Sequence, residues 1–298
     1  MAAARRPVRV GDEILTLSNL DKVFYPKTGF TKGQVIDYYA RIAPALLPHL
    51  RGRPLVLKRY PDGVGGDFFY QRECPAEHPA GIHATDVAGA RHCVVDDLAG
   101  LVWLANLADL ELHTFLCRDD DPQRPDLVAF DLDPGAPADV LACADVALRL
   151  RRMLQGLGLE SWVKTSGGKG LQVYVPLHTP ATFEQTRTFA RAAAVVLERD
   201  APELVVSVMR KSERTGRVYV DWAQNMDHKS TVCVYSLRAR DEPTVSTPLS
   251  WDELEAAAGA GDAARLRFTA PEVLARAGAR GDLWEGLLTT RQVLPGTG

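Results

Sequence analysis

The feature that most constrains this chain is the segment Asp126-Leu127-Val128-Ala129-Phe130-Asp131-Leu132-Asp133-Pro134-Gly135. It reads as an apolar strand over 126–132, stopped by Pro134-Gly135, and a strand needs a sheet around it. Residues i and i+2 of a strand share a face, so Asp131 and Asp133 point the same way, about 7 Å apart. Two carboxylates so placed repel unless a cation lies between them. Their hard oxygens suit Mg²⁺ or Mn²⁺. A solvated strand end with a turn-forming Asp-Pro is the structural alternative, since carboxylate pairs also serve structural roles.

Asp221 bears on that choice. It closes a second apolar strand, Arg217-Val218-Tyr219-Val220, and is followed by Trp222, Gln224 and Asn225. A third carboxylate from an adjacent strand would complete a clamp for two cations about 3.5–4 Å apart, the arrangement that stabilises attacking and leaving oxygens in phosphoryl transfer. The alternative is a lone exposed Asp before a turn.

Two further segments carry phosphate or base chemistry. Lys164-Thr165-Ser166-Gly167-Gly168-Lys169-Gly170 precedes a strand over 171–177. Glycines let backbone N–H groups approach phosphate oxygens, and a lysine adds charge. The Walker A spacing is absent and no helix follows, so a glycine-rich hairpin turn is the plain alternative. Lys58, Arg59 and Tyr60 precede Phe68, Phe69 and Tyr70. Cations that hold a backbone beside rings that stack on bases suit single-stranded nucleic acid; core aromatics of a hairpin are the alternative.

Helical and strand patterns alternate irregularly along the rest of the chain. Thr31 caps a helix to about Leu47, in which Val35, Ile36, Tyr39, Ile42, Ala43 and Leu46 recur at helical spacing. Residues 54–60 and 67–71 read as strands joined through Gly63, Gly65 and Gly66, and 217–222 as another. Residues 97–112 are apolar almost all round and predict one buried helix. An amphipathic helix is expected over 138–155. Capping-box pairs Thr182/Gln185, Ser250/Glu253 and Thr269/Glu272 open three more. Residues 1–13 read as a flexible leader and 14–298 as a single domain, because no long linker rich in Gly, Pro or Ser occurs. The expected fold is α/β (α+β), with mixed central sheets flanked by helices, in one unit or in two lobes sharing a cleft.

Hydrophobic residues make up 46% of the chain and charged residues 24%, which excludes disorder on the scale of a domain. No apolar run approaches the roughly 20 residues of a membrane helix. Met1–Val10 has basic residues without an apolar stretch after them, so neither a signal peptide nor a membrane anchor is expected. The net charge of -3 does not itself suggest nucleic acid. Basic residues nevertheless gather around 51–59 and 210–217, and acidic ones around 119–133, a distribution compatible with a basic groove beside an acidic metal site. Cys74, Cys93, Cys117, Cys143 and Cys233 are odd in number and scattered, which argues for a reducing compartment. The spacing of Cys74, His78, His83 and His92 or Cys93 fits no common zinc pattern.

The ordered segments Leu17-Ser18-Asn19-Leu20-Asp21-Lys22-Val23, Leu101-Val102-Trp103-Leu104-Ala105-Asn106, Phe130-Asp131-Leu132-Asp133-Pro134, Lys164 to Leu171, Val220-Asp221-Trp222-Ala223-Gln224-Asn225 and Tyr235-Ser236-Leu237-Arg238 together resemble the archaeo-eukaryotic primase superfamily. The likeness is to the polymerase domain of the bacterial end-joining ligase D and its stand-alone primase-polymerase relatives, over about residues 14–260. The resemblance implies a primase-like catalytic core that adds NTPs or dNTPs at DNA breaks or gaps, with ribonucleotides favoured, in non-homologous end joining or gap repair. It implies that Asp131, Asp133 and Asp221 bind two divalent cations, Mn²⁺ or Mg²⁺, and carry catalysis. Ser166, Lys169 and Arg238 would hold the triphosphate, with Lys58, His113 and Gln224 also at the nucleotide and Phe68 or Phe69 stacked on the template base. Asn19, Lys22 and Lys32 would recognise a 5′-phosphate on gapped or broken DNA. A partner ligase, an end-binding protein and a cytoplasmic, nucleoid-associated setting follow, with no membrane. Many relatives carry His where this chain has Gln172, which puts a phosphate contact there in question. The ligase and phosphoesterase modules of a full ligase D are not in the sequence, as in an excised domain or a separately encoded protein. A D-x-D glycosyltransferase and a non-catalytic DNA-end scaffold are the rival readings; neither would incorporate nucleotides into primed DNA.

Overall fold

A computed structural model describes residues 5–177 and 181–296. The chain forms two compact units, one of Met1–Phe115, Val232–Ser246 and Thr269–Gly281, the other of Leu116–Thr231, Thr247–Phe268 and Asp282–Gly298. Both mix sheets and helices, so the expected α/β (α+β) class is the one adopted.

In the first unit, Arg5–Val10 (β1) pairs antiparallel with Glu13–Ser18 (β2), turning at Gly11 with a φ of 59°. The expected flexible leader is thus a strand from Arg5 onward, and its first four residues lie outside the described residues. Its basic composition hid it, because a backbone ladder asks for a partner strand, not for apolar side chains. Val23–Tyr25 (β3) and Phe30–Thr31 (β4) lead into helix Lys32–Leu50 (α1). Thr31 Oγ1 accepts from Gln34 N while Thr31 N donates to Gln34 Oε1, satisfying two otherwise orphaned donors. The apolar stripe of α1 is buried at Val35, Ile36, Tyr39, Ile42 and Leu46.

Leu55–Arg59 (β5), Phe69–Gln71 (β6), Ile82–Val87 (β7) and Ala90–Val95 (β8) follow, then Leu98–Asn106 (α2) and Asp109–Phe115 (β9). They form a sheet in the order β9-β5-β8-β7, with β6 paired to β5. The single helix expected over 97–112 is therefore a short helix and a strand. Ala108, at φ 64°, breaks the helix, and the buried charges Asp109 and Glu111 alternate with Leu110 and Leu112 at the period of a strand. The chain also joins Cys74 to Cys93 as a disulfide, whereas Cys117, Cys143 and Cys233 are free and buried. This runs against reading all five as scattered thiols. The partners lie 19 residues apart, and Cys74 N–H bonds Arg91 O alongside β8, which sets the two segments side by side.

The second unit begins with the ribbon of Cys117–Arg118 (β10) and Asp121–Pro125 (β11). Its main sheet is built from Leu127–Pro134 (β12), Trp162–Thr165 (β13), Leu171–Pro176 (β14), Val205–Val206 (β15), Val218–Asp221 (β16) and, beyond Ser230–Val232 (β17), Pro248–Leu249 (β18). The order is β15-β16-β12-β14-β13-β18, antiparallel except for β15 on β16. Val140–Gly156 (α3), Phe183–Asp200 (α4) and Trp251–Ala260 (α5) cover this sheet; Ala270–Arg280 (α6) belongs to the first unit and Glu285–Thr289 (α7) to the second. All three predicted capping boxes are present. Val128, Phe130 and Leu132 of β12 pack with Cys143, Val146 and Leu150 of α3 and with Leu197 of α4. Each such large side chain contributes about 1.5–3 kcal/mol of apolar burial. With alternate residues committed to that core, Asp131 and Asp133 are forced onto the other face. Among the described residues no helix is long and apolar enough to cross a membrane.

Candidate functional site

The register of the second unit's sheet brings its acidic residues together. Asp131 of β12 lies directly opposite Asp221 of β16 and, on its other side, opposite Gln172 of β14, which in turn faces Lys164 of β13. Lys164, Gln172, Asp131 and Asp221 thus form one row across four strands, and Asp133 follows two residues on along the same face. Burial, and then the Asp133 charge, push the Asp131 carboxyl up to about 7. Asp221 adds to the rise, while a hydrogen bond from Gln172 and the Lys164 charge work against it.

Asp221 is held by its own chain. Its Oδ1 accepts from Ala223 N at 3.0 Å and from Tyr219 Oη at 3.1 Å, and its Oδ2 from Gln224 Nε2 at 3.0 Å. Among the described residues no three His, Cys, Asp or Glu side chains stand preassembled as a metal cage. The donor set nonetheless fits a hard cation: three carboxylates on one face, one of them so poorly compensated that its pKa approaches neutrality. Asn225 pins the turn after β16 to the sheet, exchanging hydrogen bonds with both Ala129 O and Ala129 N.

Ser166 and Lys169 lie in the loop between β13 and β14. Ser166 Oγ accepts from Gly168 N at 3.1 Å and Gly170 N at 3.2 Å, so it shapes the turn, while Lys169 is exposed. A Cβ on Gly170 would sit 2.0 Å from Leu132 O, so glycine there lets the loop lie against the strand that carries Asp131 and Asp133. Gln172 is committed to partners within the protein. It is buried, its Oε1 accepts from Lys164 Nζ at 2.5 Å, and its amide donates to Thr231 Oγ1 at 3.1 Å and to Asp131.

In the first unit, Lys58, His113 and Arg238 gather around one carboxylate, Glu111. Phe68 lies over Lys58 Nζ at 4.6 Å and stacks on Tyr60, with ring centroids 5.3 Å apart. Phe69 is instead over the Arg59 guanidinium at 5.2 Å. The pleat thus separates the two phenylalanines, and Phe68 is the one beside Lys58. Burial lowers the His113 pKa despite the Glu111 hydrogen bond, so its ring is neutral at pH near 7.

Asn19, Lys22 and Lys32 also meet in the first unit, where the Asn19–Lys22 turn abuts the start of α1: Lys22 N bonds Asn19 O and Lys32 N bonds Lys22 O. Lys22 Nζ donates to Pro61 O at 2.8 Å and pairs with Asp62. Lys32 is only 4% exposed, its ammonium held by Ser18 O at 2.7 Å and Asn106 Oδ1 at 2.9 Å. Burial first, then the charges of Lys22 and Arg59, pull its pKa down to about 8.

Sequence reasoning missed Glu111, and it read Lys164 as part of the glycine loop, whereas Lys164 is buried in β13. The signal for Glu111 was present as Asp109, Glu111 and His113 at a spacing of two, obscured by reading the segment as helix.

Comparison with known proteins places the chain in a family. The family described as LigD, primase-polymerase domain, matches residues 31–284. The multifunctional non-homologous end joining protein LigD of Mycolicibacterium smegmatis is 39% identical over 277 residues, which are 91% of this chain and 36% of that protein. The bifunctional LigD of Bacillus subtilis is 33% identical over 81% of this chain and 39% of its own length. The chain thus spans well under half the length of these curated relatives. The solved polymerase domain of Mycobacterium tuberculosis ligase D, in complex with DNA, superposes with a TM-score of 0.86 at 37% identity, covering 93% of this chain and 99% of that one. With a carboxylate row of this kind and a match across most of its length, the chain belongs to the LigD primase-polymerase family, a family of nucleotidyltransferases.

Proposed function

We propose that this chain extends DNA ends and fills short gaps with NTPs or dNTPs, favouring ribonucleotides, in end joining or gap repair. The observation that carries the reading is the strand register that sets Asp131 against Asp221, with Asp133 on the same face. Residues 14–298 act as one primase-polymerase domain, together with a ligase and an end-binding protein.

Asp131, Asp133 and Asp221 would hold two divalent cations, Mn²⁺ or Mg²⁺. When bound, these supply a lowered pKa for a primer 3′-hydroxyl and charge neutralisation for the triphosphate. Gln224 keeps Asp221 oriented through its amide. Lys169 lends its charge to the phosphates, and Ser166, which holds the Gly168 and Gly170 N–H groups, fixes the loop's shape. Lys58, His113 and Arg238 serve the nucleotide, and Phe68 or Phe69 the template base. Asn19, Lys22 and Lys32 bind the 5′-phosphate beyond a gap. The DNA held by the M. tuberculosis domain supports a DNA substrate for this chain.

The test is Asp131→Ala combined with Asp133→Ala in a primer-extension assay with Mn²⁺. Extension is expected to vanish while binding to gapped DNA persists. Undiminished extension refutes the metal assignment, and a parent chain that binds DNA ends without incorporating nucleotide is the scaffold of the rival reading.

A further inference from the structure

The first unit contains a buried carboxylate that the proposed chemistry does not use. Glu111 is 2% exposed in side chain, and both of its oxygens are occupied. Oε1 accepts from Ala239 N at 2.9 Å and pairs with Arg238 Nε at 3.4 Å. Oε2 accepts from Lys58 Nζ at 3.3 Å and contacts His113 Nε2 at 3.0 Å. An isolated carboxylate is expensive to bury, and this one is tolerated only because its partners surround it.

We infer that Glu111 is a positioning residue: it holds Lys58, His113 and Arg238 in the arrangement in which they engage the nucleotide. The inference rests on the nucleotide-binding reading of those residues. Lysine and arginine side chains are long and lose much rotamer freedom when fixed. A common carboxylate fixes both heads in advance, which spares that cost at the moment of binding. Strand β9 reinforces it from a second point, because Asp109 Oδ1 accepts from Lys58 N at 2.7 Å. Lys58 is thereby held at its backbone and at its ammonium by residues two apart on one strand. Glu111 also sets the tautomer of His113. With Nε2–H directed at the carboxylate, Nδ1 is the nitrogen left for a donor from a ligand. Charge is balanced with a surplus: Lys58 and Arg238 against Glu111 leave one net positive charge, suited to an anionic ligand. Burial opposes ionisation of Glu111, but the His113 hydrogen bond and the Arg238 and Lys58 charges hold its carboxyl below the ordinary range, so the anchor is charged at every working pH.

The experiment is Glu111→Gln, which keeps shape and volume but sets an amide N–H₂ among donors. Binding of adenosine triphosphate with Mn²⁺ is measured by calorimetry, incorporation by primer extension, and fold by thermal melting and by Mn²⁺ binding without nucleotide. The expected result is a loss of about 100-fold in kcat/KM for the nucleotide, the scale of an ångström-sized misplacement, with a lowered melting temperature from the cations left without a counter-charge but a chain still folded at the assay temperature and Mn²⁺ binding as in the parent. Parent-like nucleotide affinity and kcat/KM overturn the inference. So does a joint loss of melting temperature, Mn²⁺ binding and nucleotide binding, which marks a purely structural role. Lys58→Ala and His113→Ala are measured alongside. If both bind nucleotide like the parent, the nucleotide reading fails and takes this one with it. If they lose it while Glu111→Gln does not, the role of Glu111 alone is wrong.

Discussion

Raising the pH from about 7 to about 9 is expected to remove most of the preference for a 5′-phosphorylated gap, through Lys32 alone. Its ammonium is buried against Ser18 and Asn106 and titrates at about 8 instead of 10.5. About nine in ten copies carry the charge at pH near 7, and about one in ten at pH near 9. A terminal phosphate, with a second pKa of about 6, is a dianion throughout. If only the charged lysine grips it, apparent affinity scales with the charged fraction, so the advantage of phosphate over hydroxyl falls about tenfold. The effect on folding has the opposite sign. A base with a depressed folded pKa binds fewer protons folded than unfolded between 8 and 10.5, so its contribution to stability rises with pH across that window. Loss of phosphate preference therefore cannot be traced to unfolding by this group. The assay is fluorescence anisotropy with matched 5′-phosphate and 5′-hydroxyl gapped duplexes at fixed ionic strength. Lys32→Arg, charged at every pH used, is expected to flatten the profile. A phosphate-to-hydroxyl affinity ratio in the parent that stays constant across the window refutes the role of Lys32.

Two further outcomes follow from the packing. Gly170→Ala forces a Cβ against Leu132 O and is expected to cost about 1–3 kcal/mol of stability together with nucleotide incorporation, read by chemical denaturation and primer extension. Asp109→Asn keeps the acceptor for Lys58 N but removes an acid whose pKa is raised well above 3.8 by burial. A raised folded pKa confers stability at low pH that is lost as pH climbs through it, so the asparagine variant should gain on the parent between acid and neutral pH. Melting temperatures at about pH 4 and about pH 7 check it, and an equal difference at both would count against a buried acid.

How much of this was legible in the sequence depended on whether the determining contact was local. The strand ending in Asp131 and Asp133, the caps at Thr31, Thr182, Ser250 and Thr269, and the turn at Gly63 are set by residues within a few positions of one another, and the structure has them. The pairing of Cys74 with Cys93 was not legible, because the two segments meet only in the folded chain; two lobes were allowed for, but their bounds were not legible, because the units interleave along the chain and leave no linker to read. The helix assigned over 97–112 failed for a different reason. Its apolar content was high enough to suit either period, and the deciding evidence was the placement of Asp109 and Glu111 two residues apart. The register of Asp131 against Asp221 was anticipated only as adjacent strands, since periodicity fixes which face a residue takes but not which residue lies opposite.

The two acidic centres show why burial alone does not identify a metal site. Glu111 is less exposed to solvent than Asp131, yet its pKa falls while that of Asp131 rises to about 7. The difference lies in what the chain supplies. Around Glu111 it provides Lys58, Arg238, a histidine N–H and a backbone N–H, enough to outweigh desolvation, so the charge is settled internally. Around Asp131 stand two more carboxylates, Asp133 and Asp221, set against one lysine, Lys164. Adding another cation to the first centre would meet positive charge already in place, whereas adding one to the second relieves repulsion that the fold leaves standing. The first arrangement is therefore a scaffold for side chains, and the second has the electrostatics of a site completed from solution. An acidic cluster in a chain of this kind is best judged by the sign of the shift its neighbours impose, since that sign reports whether compensating charge is built in or must arrive.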